Sequence, residues 1–102
     1  MTLLSIDKQI YDCCNSAVLE QKLRLEGYSI FSWGDQPGAY YSAHSHEHDE
    51  FIVVYKGSIT FLIEGAEYKL EPGDLLNLPA GTVHEAVNDS PEPVQYFICT
   101  RS

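Results

Sequence analysis

Two short segments contain all four histidines of the chain, and histidine is the metal ligand that proteins use most often. The first segment contains His44, His46 and His48 together with Glu50, and the second contains His84. On a β-strand, His44 and His46 would project from one face about 7 Å apart. Two imidazoles in this arrangement can converge on one metal ion, so the spacing favours a metal site.

Glu50 can join such a site only if the chain turns back. Glu50 is an even number of residues from His44, so on one continuous strand both side chains would project from the same face. A straight strand would nevertheless place Glu50 about 20 Å from His44. The polar residues 47–49 are typical of a tight hairpin, which would return Glu50 to the same centre. His84 is distant in the sequence and would arrive from another strand.

Glycines, a proline and an asparagine surround these residues at fixed spacings. The fixed positions are Gly38, His44, His46, Glu50 and Gly57 in the first motif, and Gly73, Pro79, Gly81, His84 and Asn88 in the second. They fill every fixed position of the two signature motifs of the cupin superfamily. The chain resembles this superfamily from about residue 27 to residue 99.

The resemblance implies that His44, His46, Glu50 and His84 hold one divalent transition metal. Nitrogen and oxygen ligands suit iron, manganese, nickel, cobalt or zinc. Four protein ligands in an octahedral sphere leave two positions for water, oxygen or a chelating substrate. His48 is interpreted as a turn residue, although a slipped register would bring it to the site.

Parity with the ligands also predicts the cavity wall. Tyr40 shares the predicted strand face of His44 and is the best candidate for a catalytic general acid or hydrogen-bond donor; the alternative is an aromatic residue packed at the barrel mouth. Other candidates for the wall are Ser42, Ile52, Val54, Asn77, Tyr96 and Ile98. For the last three, ordinary core packing is an equal alternative.

Short strands must position these side chains. Turn residues separate apolar stretches at 28–33, 39–46, 51–55, 59–63, 68–70, 75–78, 84–87 and 94–100. This recurrence predicts an all-β sandwich or barrel, and the resemblance selects the cupin jelly-roll β-barrel. We expect a single cupin domain over residues 1–102, with a conserved barrel core at about 27–99 and an N-terminal extension at 1–26.

The extension is expected to contain a short helix. Ser16 resembles an N-cap, Gly27 a stop, and the apolar residues of one face would be Val18, Leu19, Leu23 and Leu25. Residues 1–15 are either a homodimer element or an edge strand that covers its own barrel.

Composition excludes several partners. Six basic residues against fifteen acidic ones give a formal charge of −9, which argues against nucleic acid and anionic membranes. No apolar stretch is long enough to span a bilayer, and the N-terminus does not read as a signal peptide. Three cysteines, two of them adjacent, are typical of a reduced cytoplasmic protein.

The leading functional hypothesis is a metal-dependent oxidoreductase with dioxygenase chemistry on a small molecule. Two open metal positions would suit a bidentate substrate and oxygen together. The alternatives are a redox-neutral isomerase or lyase acting on a small carbonyl or sugar-derived compound, and a ligand-binding or sensing cupin without turnover. A structural metal is a further possibility.

Overall fold

A computed structural model of the chain describes residues 3–101. Its elements are β1 (Ser5–Asp7), α1 (Ser16–Leu25), β2 (Ser29–Asp35), β3 (Tyr40–His44), β4 (Glu50–Lys56), β5 (Ile59–Ile63), β6 (Ala66–Leu70), β7 (Leu75–Leu78), β8 (His84–Val87) and β9 (Val94–Thr100). The strands form a five-stranded sheet in the order β1-β7-β4-β9-β2 and a four-stranded sheet in the order β3-β8-β5-β6. All pairs are antiparallel, and the predicted all-β jelly roll with one short helix is confirmed.

The core lies between the two sheets, and a second core lies behind the larger one. Ile52 and Val54 of β4 pack into the main core, whereas Val53 between them packs toward the helix. Because β4 is covered on both faces, its sequence is continuously apolar instead of alternating. The strand that begins with Glu50 is therefore held firmly from both sides.

The helix differs from its prediction at its start and on its apolar face. Asn15, and not Ser16, is the N-cap: its Oδ1 accepts hydrogen bonds from the amides of Ala17 at 3.0 Å and Val18 at 3.2 Å. Only Leu19 and Leu23 are buried, because a single contact with the sheet covers a narrow stripe of the helix. Val18 and Leu25, predicted on the apolar face, are exposed.

The N-terminal segment covers the edge of its own sheet. Strand β1 pairs with β7, and the side chains of Leu4 and Ile6 pack against the main core. This is the second of the two arrangements expected for residues 1–15, of which Met1 and Thr2 lie outside the described residues. No helix between residues 3 and 101 is long and apolar enough to cross a membrane.

Candidate metal centre

Three histidines from two strands and a loop lie side by side. His44, the last residue of β3, pairs in register with His84, the first residue of β8, and their ring centroids are 4.4 Å apart. His46 follows two residues beyond the end of β3, with its ring centroid 4.9 Å from that of His44 and 5.2 Å from that of His84. One ligand atom of each histidine lies within 4.8 Å of the other two. This cluster can hold a divalent metal ion.

Backbone carbonyl groups set the protonation of two of these rings. The Nδ1 atom of His44 lies 2.6 Å from the carbonyl oxygen of Ser42, and that of His84 lies 3.0 Å from the carbonyl oxygen of Thr82. A carbonyl oxygen can only accept, so each Nδ1 carries the hydrogen and each Nε2 keeps a free lone pair. Burial also lowers the pKa of His84, which favours the neutral imidazole that a metal requires.

Glu50 borders the cluster from the opposite sheet. As the first residue of β4 it is mostly buried, and its Oε1 lies 3.6 Å from Nε2 of His46. Its Oε2 lies 3.9 Å from Nε2 of His48, whose side chain is 65% exposed. The structure thus brings Glu50 beside His46 and into the same cavity wall, although the cluster within 4.8 Å contains the three histidines without Glu50. His48 is an exposed loop residue outside that cluster, as the sequence indicated.

The connection between His46 and Glu50 is not the hairpin that the sequence predicted. Strands β3 and β4 belong to different sheets, so residues 45–49 cross from one sheet to the other. The amide of Gly81 donates to the carbonyl oxygen of His46 at 2.9 Å, and the amide of Ala80 donates to Oδ1 of Asp49 at 2.8 Å. The crossing is therefore held by the turn that precedes His84, and it still reverses the chain toward Glu50.

The three histidines and Glu50 line one cavity of about 390 Å³ between the sheets. The rest of its wall is mainly apolar and aromatic and consists of Phe31, Trp33, Tyr41, Ile52, Phe61, Ala86, Tyr96 and Ile98. Ile52, Tyr96 and Ile98 had been predicted there. Val54 lies in the main core instead, and the side-chain amide of Asn77 donates to Ser5 at 2.8 Å.

Tyr41, and not Tyr40, lines the cavity. Tyr40 had been expected there because it is an even number of residues from His44 on the same predicted strand. Tyr41 pairs with Ala86 but His44 pairs with His84, so β3 contains one extra residue between the two pairs. Such a β-bulge inverts the facing of all residues before it. The prediction that Tyr40 shares the face of His44 is therefore wrong, and Ser42, which lies within the bulge, is not among the residues that line the cavity.

Tyr40 lies outside the cavity wall. Its side chain is 55% exposed, and its hydroxyl group donates to the carboxylate of Glu85. A catalytic role for Tyr40 stays an untested prediction, and the parity argument no longer supports it.

A hydrogen-bond network that the sequence did not reveal joins the two sheets beside the cavity. The hydroxyl of Tyr41 donates to Oδ1 of Asp35 at 2.5 Å, and that of Tyr96 donates to Oδ2 of Asp35 at 2.6 Å. The indole Nε1 of Trp33 donates to the hydroxyl of Tyr41 at 3.0 Å. Burial, and then the bond to Asp35, raise the pKa of both phenols, so both stay protonated.

Two motif residues serve the fold and not the cavity. Asn88 is fully buried, and its Nδ2 donates to the carbonyl oxygens of Asp35 at 3.2 Å and Glu92 at 2.8 Å. Gly57 has a φ of +75°, and a Cβ atom there would lie 2.3 Å from the carbonyl oxygen of Pro93. Both positions fix the β8–β9 loop against neighbouring strand ends.

Comparison with known proteins identifies the family. A family model described as the cupin domain matches residues 31–100, which include the three clustered histidines and Glu50. The chain belongs to the cupin family. Over 48 residues this cupin is 44% identical to quercetin 2,3-dioxygenase of Bacillus subtilis (strain 168). That alignment covers 46% of the cupin and only 14% of the dioxygenase.

Solved structures with the same fold include a second enzyme. The cupin is 26% identical to DMSP lyase DddQ from Ruegeria pomeroyi, with a TM-score of 0.66 over 74% of this chain and 39% of the lyase. It is also 26% identical to an uncharacterized conserved protein with a double-stranded beta-helix domain from Klebsiella pneumoniae. There the TM-score is 0.64, over 74% of this chain and 67% of the other. The cupin thus spans only part of the two enzymes that it resembles.

Proposed function

We propose that this cupin is an enzyme that acts on a small molecule at a mononuclear divalent metal centre. Its ligands would be His44, His46, His84 and Glu50. The observation that carries the proposal is the convergence of three imidazoles within 4.8 Å in the wall of a cavity. Two of them have Nδ1 fixed on a carbonyl oxygen, which is the tautomer that metal-binding histidines need.

The donor set fits iron, manganese, nickel, cobalt or zinc. When bound, such an ion would supply Lewis acidity and, where it is redox-active, oxygen activation. The chain itself supplies a mainly apolar wall beside the proposed ion, which suits a small organic substrate. Tyr41 and Tyr96, both neutral, would orient a substrate by hydrogen bonds.

Dioxygenase chemistry remains the favoured reaction, and the similarity to quercetin 2,3-dioxygenase supports it. The second candidate is a redox-neutral lyase or isomerase reaction. The phenol–carboxylate network of Tyr41, Asp35 and Tyr96 favours this candidate, because it provides groups that could pass a proton. The structural similarity to a DMSP lyase points in the same direction.

The proposal includes a homodimer in the cytoplasm. The three free thiols support a reducing compartment. Sedimentation velocity on the purified protein tests the dimer, since a monomer at micromolar concentration would contradict it.

Metal content by mass spectrometry tests the centre directly. We expect about one equivalent of a transition metal in untagged wild-type protein and in His48→Ala, and loss of that metal in His46→Ala. Iron, manganese or nickel would be followed by an oxygen-consumption screen, and zinc by a screen of lyase and isomerase substrates. Folded protein that takes up no added metal would overturn the enzyme proposal and leave a ligand-binding cupin.

A further inference from the structure

Two large aromatic side chains lie exposed and side by side on the edge strand β2. Phe31 is 55% exposed and Trp33 is 44% exposed. Their ring centroids are 5.5 Å apart with an interplanar angle of 26°, so they form one stacked pair, called here the aromatic platform. Exposed aromatic surface of this kind is unfavourable in water and marks a binding site when it adjoins a cavity.

The aromatic platform is continuous with the wall of the metal cavity. Phe31 pairs in register with Ile98 and Trp33 with Tyr96, and all four residues line the same 390 Å³ cavity. Because β2 is the last strand of its sheet, the platform forms the part of the wall that extends from the histidines toward solvent.

The cavity offers hydrogen-bond acceptors beside the platform. Tyr41 and Tyr96 both commit their hydroxyl hydrogens to Asp35, so each phenol oxygen can only accept from a further partner. The bond from Trp33 Nε1 to Tyr41 also restrains the indole ring before any ligand arrives.

The side chains of the cavity disfavour an anionic group at the aromatic platform, away from the proposed metal ion. Among the described residues that line it there is no lysine or arginine, and Glu50 is acidic. A phosphate or sulfate group would find no cationic side chain to compensate its desolvation.

We propose that the aromatic platform and the two phenols select a flat, unsaturated, uncharged ring that carries a hydroxyl group. The ring stacks on a free face of the Phe31–Trp33 pair, and its hydroxyl donates to the oxygen of Tyr96 or to the lone pair of Tyr41 that does not accept from Trp33. This substrate class rests on the proposed metal-dependent function, since the same cavity holds both sites.

Trp33 is the single tryptophan of the chain, so its indole N–H gives one nuclear magnetic resonance signal. Catechol is the probe, and cyclohexane-1,2-diol is the control with two hydroxyls but no aromatic ring. Both are titrated into protein treated with a chelator and into protein loaded with zinc. We expect catechol to shift the indole signal in both forms by its ring current, and the saturated diol to leave it in place.

Variants separate the two parts of the proposed site. Phe31→Leu keeps an apolar side chain without an aromatic face, and we expect it to weaken catechol binding to metal-free protein about tenfold. Tyr41→Phe removes an acceptor and should weaken binding several-fold. Tyr11→Phe is the matched control, because it deletes another phenol–carboxylate bond, to Glu26, in the N-terminal segment; it should bind like wild type.

Three outcomes would overturn the substrate class. In the first, catechol and the saturated diol bind equally well, and both bind only to zinc-loaded protein. The metal alone would then bind the two hydroxyl groups, and the platform would not select an aromatic ring. An unchanged affinity in Phe31→Leu would exclude stacking. An indole signal that moves with protein concentration alone would place the platform between two copies of the chain. In contrast, catechol binding at the platform of protein that takes up no metal would support the platform and overturn the metal-dependent function.

Discussion

The amide of Gly81 donates a 2.9 Å hydrogen bond to the carbonyl oxygen of His46, and this bond ties together the two halves of the candidate metal centre. His46 lies beyond the end of β3, whereas Gly81 lies in the turn that leads to His84. The neighbouring bond from Ala80 to Asp49 fixes the same crossing. The three imidazoles are therefore positioned by the chain itself, which lowers the ordering cost of binding an ion.

Asp49 provides a test of this preorganisation. We expect Asp49→Ala to lower the affinity for zinc about 10- to 100-fold, because it frees the crossing that positions His46 without deleting a proposed ligand. Asp49→Asn keeps an oxygen acceptor for the amide of Ala80 and should remain close to wild type. Competition titration with a chromogenic zinc chelator measures both. Equal affinity of Asp49→Ala and wild type would show that the crossing does not organise the site.

The bulge in β3 predicts that phenylalanine substitutions at two adjacent tyrosines lower the free energy of unfolding by different amounts. Tyr41 donates to Asp35 and accepts from Trp33 in a half-buried network, so Tyr41→Phe should lower the free energy of unfolding by about 1–2 kcal/mol. Tyr40 makes an exposed bond to Glu85, and Tyr40→Phe should cost less than about 0.5 kcal/mol. Urea unfolding measures both variants. The reverse order would mean that Tyr40, and not Tyr41, faces the cavity.

The strands could be predicted closely because turn residues mark their ends locally. The predicted range 94–100 matches β9, and the predicted range 59–63 matches β5. Strand β1 was predicted only as one of two alternatives for residues 1–15 and without bounds, since three residues carry too little pattern and its pairing with β7 depends on residues about 70 positions away.

The errors at the site share a physical cause. Residues 47–49 have the composition of a hairpin turn, but they lie in a connection that crosses from one sheet to the other. That connection is fixed by the hydrogen bond between His46 and the distant Gly81. The extra residue between Tyr41 and His44 likewise depends on how β3 pairs with β8. Local sequence sets the tendency to turn or extend, and the choice of partner strand is made by distant residues.

Asp74 is the buried anchor of the N-terminal segment. Its carboxylate is fully buried, forms an ion pair with Lys8, and accepts from the amides of Gln9 at 2.7 Å and Glu71 at 2.7 Å. Asp74→Ala would leave these donors without an acceptor, and we expect a loss of about 3 kcal/mol in the free energy of unfolding.

Glu71→Ala is the matched control for Asp74→Ala. It removes only a half-exposed carboxylate 3.5 Å from Lys8, so it should cost less than about 1 kcal/mol. Chemical denaturation of the two variants measures the difference. Similar losses in both would mean that Lys8, and not the buried amides, accounts for the role of Asp74.

Stability should also fall at alkaline pH because of Cys99. Burial between α1 and the larger sheet raises the pKa of this thiol to about 12, from an ordinary value of 9.0. Below pH 9 the thiol is protonated in both the folded and the unfolded chain, so its contribution is unchanged there. Between pH 9 and 12 the unfolded thiol ionises first, and folding stability declines as the pH rises.

Cys99→Val isolates this effect, because valine is apolar, similar in size and cannot ionise. Between pH 8 and 10 we expect wild type to lose about 1 kcal/mol more of its free energy of unfolding than the variant does. Cys14→Val is the comparison, since Cys14 is exposed and its pKa is raised mainly by the hydrogen bond with Asp12 and not by burial in the core. Urea midpoints measured across this pH range give the comparison. Parallel curves for wild type and Cys99→Val would mean that the buried thiol does not set the alkaline limit.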